Sequence, residues 1–119
     1  MQEPRARALA ESLAQLADRK KAEDIVILDL RGRHSLFDYF VIATAQGERQ
    51  AQVVGEEAVR FARQQGLSRH LEVAPDWVCG DFGDVVLHVF SPDARRFYDL
   101  EHLWADAPRV DWVNNAATA

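Results

Sequence analysis

Cysteine is nearly absent from this chain of 119 residues, in which Cys79 is the one thiol. A single cysteine can form neither an internal disulfide nor a metal site built from several thiolates. Its place in an apolar stretch predicts a small buried side chain. No run approaches the roughly 20 apolar residues that span a bilayer, and the first residues lack the unbroken apolar core of a signal peptide. These scarcities predict a cytoplasmic protein without a membrane partner.

Positive charge is also in short supply, because 14 Lys and Arg stand against 19 Asp and Glu for a formal net charge of −5. Surfaces that grip nucleic acid carry a basic stripe. Here the basic residues are scattered, and their largest cluster in sequence is Arg19-Lys20-Lys21. Direct nucleic-acid recognition is therefore disfavoured as the main contact, and a basic protein partner suits the charge.

Signatures of catalysis and cofactor binding are missing as well. The chain has no P-loop and no nucleophile elbow, and its four histidines lack the spacing of a zinc site. Asp81 and Asp84 flank a predicted turn, where Asp commonly bonds to the backbone. Nucleotidyl transfer instead needs two carboxylates on one strand face and a Gly-Ser loop. We expect no enzyme, catalytic residue, cofactor or metal, with a metal-dependent nucleotidyltransferase as the alternative.

What the sequence does contain is an alternation of helical and strand patterns. Ser91 and Pro92 predict the start of a final helix, and Phe82-Gly83 predicts a two-residue hairpin connection. The order α-β-β-α-β-β-β-α predicts an α/β fold, with one domain over residues 1–107 and a flexible tail over 108–119. That domain is expected to be a mixed β-sheet flanked by helices. Apolar spacing predicts helices over 5–20 and 47–66, and strands over 24–30, 39–45, 69–73, 77–81 and 84–90.

Side-chain parity in the last two strands separates a candidate core from a candidate surface. Val85, Leu87 and Val89 share one face and form the expected core. The opposite face mixes aromatic, polar and acidic residues, as protein interfaces do. An equally open alternative is that Trp77 and Phe90 pack under helices, beside a half-buried histidine bonded to its neighbours. The predicted partner-binding residues are Trp77, Asp81, Asp84, His88 and Phe90.

These residues also resemble the sequence pattern of the ribosomal silencing factors, or Iojap family. The resemblance spans roughly residues 5–105 and rests on many fixed spacings. Its core is Trp77, Asp81, Gly83-Asp84-Val85-Val86 and His88, followed by Arg95, Phe97-Tyr98, Leu100-Glu101 and Leu103-Trp104, with Lys20–Ile25, Asp29 and Asp38–Ile42 upstream.

The resemblance implies a fold like that of the nucleotidyltransferases without their active site. It also implies a protein that binds the large ribosomal subunit through its L-fourteen protein. Such a protein represses translation by blocking the joining of the small subunit, and assists large-subunit assembly as a further role. A homodimer is an additional expected state, and a homodimeric scaffold with no ribosomal role is the third class of function left open.

Overall fold

In the computed structural model, which describes residues 3–112, helices cover both faces of one six-stranded sheet. The predicted α/β fold with a mixed sheet is confirmed. The helices are α1 (Glu3–Arg19), α2 (Glu48–Gln64), α3 (Pro92–Tyr98) and α4 (Leu100–Leu103). The strands are β1 (Glu23–Asp29), β2 (Tyr39–Thr44), β3 (His70–Val73), β4 (Trp77–Asp81), β5 (Val85–Phe90) and β6 (Arg109–Val110).

The strand order is β3-β4-β5-β2-β1-β6. β2 and β5 run parallel, whereas the other neighbours are antiparallel. Both central strands are buried along their whole length, which explains why they read as continuous apolar runs. After β2 the chain enters α2 on one face, and after β5 it enters α3 on the other.

The first face of the sheet lies under the two 17-residue helices α1 and α2. Val85, Leu87 and Val89 belong to this core, as their parity predicted. Close contact between α2 and β4 requires a glycine, because a Cβ on Gly55 would stand 2.6 Å from Cγ1 of Val78. The two long helices therefore cover this face of the sheet.

In the described part of the chain, the second face is covered by the short helices α3 and α4 and by loops. Its buried cluster includes Leu28, Phe40, Ile42 and Phe90, with Trp77 at its margin. Toward the edge formed by β3 and β4, the side chains on this face are half-buried or exposed. The sheet thus has one closed face and one partly open face.

Two predicted boundaries need correction. The hairpin turns one residue later than expected: Phe82 is buried, and its N–H donates to the carbonyl of Val85 over 2.9 Å. Gly83, with φ of +90°, makes the turn. The final helix is broken at Asp99, which adopts a left-handed conformation with φ 48° and ψ 53°. Asp is among the residues that tolerate this conformation.

The chain beyond residue 107 does not begin as the flexible tail that was predicted. Arg109–Val110 form β6, in register with Leu28 and Ile27 of β1. Nε1 of Trp112 donates to the carbonyl of Ile25 over 3.0 Å. The domain therefore extends to Trp112, and the remainder of the predicted tail, 113–119, lies outside the described residues. Within residues 3–112 no helix has the length and apolar character needed to cross a membrane.

Candidate partner-binding surface

Two of the five predicted contact residues are buried. Phe90 is 1% exposed and His88 is 5% exposed. Phe90 belongs to the second cluster, where it stacks near Tyr98 of α3 with ring centroids 5.9 Å apart. The His88 ring contacts Phe40 and Phe90 of that cluster. The prediction that both rings form part of the contact surface is therefore corrected. The helix that follows β5 folds back over these rings, and strand parity alone cannot reveal such a cover.

Trp77 lies at the boundary between this cluster and the surface. Its ring centroid is 5.0 Å from that of Phe90 and 4.6 Å from that of Tyr98. Its Nε1–H donates to Nδ1 of His88 over 3.1 Å. The indole is half-buried and its polar atom is satisfied internally, so what it offers a partner is aromatic surface.

An aromatic groove of about 450 Å³ opens beside this indole, between the β3–β4 turn and α3. Phe97 stands perpendicular to Tyr98, with ring centroids 5.1 Å apart and an interplanar angle of 90°. Phe97 is 81% exposed and Tyr98 is 46% exposed. Large apolar side chains at this exposure mark interaction sites when they cluster. The lining residues of the aromatic groove are Ala74, Pro75, Asp76, Trp77, Asp93, Ala94, Phe97 and Tyr98.

The exposure of Phe97 was missed from the sequence. Phe97, Leu100, Leu103 and Trp104 fit the apolar stripe of one continuous helix, and a stripe predicts packing. Because the backbone reverses handedness at Asp99, that stripe is split between two helices. Leu100 and Trp104 pack against the second cluster, whereas Phe97 and Leu103 point outward. The signal available in the sequence was an Asp inside an otherwise helical pattern.

The segment that carries the groove is anchored by a charged network. Arg95 donates through Nε and Nη2 to both carboxylate oxygens of Glu101, over 3.0 and 3.1 Å. Its Nη1 donates to Oγ1 of Thr44 over 2.8 Å. The two charged side chains are only 13% and 23% exposed. A bidentate pair in a partly dry site fixes geometry well, so the network holds α3 and α4 against the end of β2.

The two predicted rim aspartates lie at the other end of β4, roughly 13 Å along the strand from Trp77. Asp81 is partly buried, and its Oδ1 accepts the N–H of Gly83 over 2.9 Å. That contact is the local turn bond expected of Asp. The backbone carbonyl of Asp84 accepts from the N–H groups of Asp38 and Tyr39. The structure thus places the predicted acidic residues and the predicted anchor at opposite ends of one strand.

Between those ends lies a strip of open sheet. His70 and Glu72 of β3 stand opposite Asp81 and Cys79, so all four share one face. Burial, with the nearby carboxylates of Glu72 and Asp81, raises the pKa of the Cys79 thiol to about 11. The thiol stays protonated near neutral pH and packs as a small apolar group, half-buried rather than fully buried as predicted. Among the described residues no three His, Cys, Asp or Glu side chains could hold a metal ion together.

Comparison with known proteins decides the family. A family model described as ribosomal silencing factor during starvation matches residues 3–119. The chain belongs to the ribosomal silencing factors. The predicted family resemblance is confirmed, and it now covers the C-terminal strand as well.

Silencing factors from two bacteria resemble this sequence over most of their length. One from Halalkalibacterium halodurans is 42% identical over 108 residues, which are 85% of this chain and 92% of that protein. One from Bacillus subtilis is 41% identical over 82% of this chain and 86% of that protein. The chloroplastic protein Iojap of Arabidopsis thaliana is 35% identical over 87% of this chain and 44% of its own length.

Solved structures agree with the fold. A crystal structure from Bacillus halodurans, 39% identical, superposes with a TM-score of 0.72 over 84% of this chain and 94% of that one. A crystal structure from Chromobacterium violaceum, 30% identical, gives 0.78 over 88% of each chain. This silencing-factor domain is therefore the mixed α/β sheet described above.

Proposed function

We propose that this chain is a ribosome-binding repressor of translation that docks on the L-fourteen protein of the large subunit and blocks the joining of the small subunit. Membership of the ribosomal silencing factors is the observation that carries the proposal. The chain acts by occupying a surface and performs no chemistry. It has no nucleotidyltransferase activity, and assistance to large-subunit assembly is a second consequence of the same binding.

The open end of the second sheet face supports this proposal. Trp77 and Phe97 supply aromatic anchors that stand beside a groove, and anchors of this kind dominate interface energies. Asp81 and Asp84 contribute negative charge at the rim, where charge acts mainly on the association rate. The net charge of −5 suits a basic ribosomal protein. His88 and Phe90 support Trp77 from beneath.

Cosedimentation with purified large subunits tests the docking step. Wild-type chain is expected to pellet with large subunits and to be displaced by excess isolated L-fourteen protein. Asp81→Asn and Asp84→Asn are expected to slow association and to flatten its salt dependence. Failure of the wild-type chain to pellet would overturn the docking proposal.

Light scattering of subunit joining tests the mechanism. Because a steric block obeys mass action, inhibition should scale with the fraction of large subunits occupied and reverse on dilution. Preformed ribosomes should resist inhibition. Full inhibition by catalytic amounts of the chain would contradict a steric block. The predicted homodimer is tested separately by sedimentation equilibrium of the free chain.

A further inference from the structure

We propose that the aromatic groove is a receptor for one cationic side chain, Arg or Lys, of the protein partner. The inference deepens the proposed function, because it names the chemistry that the docking surface recognises. It rests on three features of the groove: its aromatic walls, its carboxylates and the internal use of the Trp77 indole N–H.

The walls have the composition and spacing of a cation site. Trp77, Tyr98 and Phe97 form a continuous series, with successive ring centroids 4.6 and 5.1 Å apart. Trp and Tyr faces attract a guanidinium or ammonium group within about 6 Å of the ring centroid. All three rings line the groove, so a cation bound there would lie beside more than one ring. An aliphatic side chain would fill the groove without using the ring quadrupoles.

Two carboxylates belong to the same groove. Asp76 precedes Trp77, and its carboxylate makes no side-chain hydrogen bond or ion pair with any other residue in the described part of the chain. Its backbone carbonyl accepts the N–H of Ser91 over 3.0 Å, which holds the β3–β4 turn against the start of α3. Asp93 forms an exposed ion pair with Arg96. Exposed pairs of this kind are weak, so a partner cation can share Asp93 with Arg96.

The direction of the Trp77 indole N–H indicates whether the groove favours a cation or an anion. A groove lined by Trp often offers its N–H to an acceptor on the partner. Here that donor is directed to Nδ1 of His88, beneath the groove. The partner therefore meets the face of the indole and the carboxylate of Asp76, a combination that favours a cation over a carboxylate or phosphate.

The first arm of the test uses the free chain and a small probe. N-acetyl-arginine amide is titrated while NMR follows the Trp77 indole N–H, which is assigned by its loss in Trp77→Phe. The citrulline analogue, of similar shape but neutral, is the matched probe. We expect weak, saturable shifts with the arginine probe, at least several-fold larger than with citrulline. Asp76→Asn should reduce them, whereas Asp18→Asn, an equal charge change at an exposed position near the end of α1, should not.

The second arm measures cosedimentation with large subunits at increasing salt. Asp76→Asn is expected to weaken binding about tenfold and to reduce its salt dependence, because one charge-assisted contact is lost. Asp18→Asn should bind as the wild-type chain does. Equal shifts with arginine and citrulline, or equal behaviour of the two Asn variants, would overturn the cation receptor. If the wild-type chain binds the arginine probe but never pellets, the proposed function fails and the receptor stands.

Discussion

Trp77 donates its indole N–H to Nδ1 of His88 across the β4–β5 pair, over 3.1 Å. The bond assigns the imidazole proton to Nε2, a buried atom with no hydrogen-bond partner among the described residues. It also holds the indole ring at a fixed angle beside the aromatic groove. One histidine thereby links the hidden cluster of the second face to the surface that is proposed to bind a partner.

The buried imidazole should make stability depend on pH. Burial lowers the pKa of His88 from 6.5 to about 4. Between these values the unfolded chain takes up a proton at this site and the folded chain does not, so acid favours unfolding. The stabilisation from neutral His88 is complete above about pH 6.5 and is lost as the pH falls toward 4. We expect the free energy of unfolding to drop by about 2 kcal/mol between pH 7 and pH 5, measured by urea denaturation.

A matched pair of variants isolates this effect. His88→Gln should remove most of the slope between pH 7 and pH 5, whatever its effect on absolute stability. His70→Gln changes an exposed histidine on β3 and should leave the slope almost intact. An unchanged slope in His88→Gln would show that other groups produce the pH dependence.

Phe90, buried at the end of β5, and Phe97, exposed on α3, should behave in opposite ways. Phe97→Ala removes an 81% exposed ring and should cost about 2 kcal/mol of large-subunit affinity, roughly 30-fold, with little change in stability. Phe90→Ala removes a ring that is 1% exposed and should cost about 3–5 kcal/mol of unfolding free energy. Binding assays measure the affinity of both variants for large subunits, and denaturant melts measure their unfolding free energy. Normal affinity in Phe97→Ala would remove this ring from the contact surface.

The network around Arg95 should be worth more than an ordinary surface ion pair. Arg95→Met leaves Glu101 without its bidentate partner in a site where that carboxylate is only 23% exposed. We expect a loss of roughly 2 kcal/mol in unfolding free energy. Arg7→Met, which breaks the exposed Arg7–Glu11 pair on α1, should cost less than about 0.5 kcal/mol. Equal losses would show that α3 and α4 do not depend on the network.

Replacing Gly55 with even the smallest side chain should lower the stability of the fold. In a helix interior Ala is ordinarily better than Gly by up to about 1 kcal/mol. At this position the added Cβ would lie 2.6 Å from Val78 and 3.0 Å from Leu71, and overpacking of this kind costs about 1–3 kcal/mol. We therefore expect Gly55→Ala to be net destabilising in thermal and urea melts. Glu56→Ala, the exposed neighbour, should stay within about 0.5 kcal/mol of wild type. A stabilised Gly55→Ala would mean that α2 can move away from β4.

The alternation of apolar residues along the strands and the helix-capping residues predicted most of the fold. The alternating positions of Val85, Leu87 and Val89 correctly predicted a buried strand face. Ser91 accepts the N–H of Ala94, as expected of the predicted N-cap. The sequence predicted the site less well, because Phe90 was assigned to a candidate surface and is buried, whereas Phe97 fits the apolar stripe of a helix and is exposed. The exposure of the two rings differs because the backbone turns left-handed at Asp99 and because α3 packs over the sheet. Both depend on contacts between distant parts of the chain, and local periodicity carries no information about those.

The short strand β6 protects the edge of the sheet against self-association. β1 would otherwise be an outer strand, with the backbone groups of Ile27 and Leu28 open to another chain. Arg109–Val110 pair with this edge of β1, and the Trp112 indole N–H donates to the carbonyl of Ile25. A chain shortened after Pro108 would lose the Val110 and Trp112 side chains that pack against the first core, and it would expose the backbone edge of β1. Self-association through that edge would then lower its solubility.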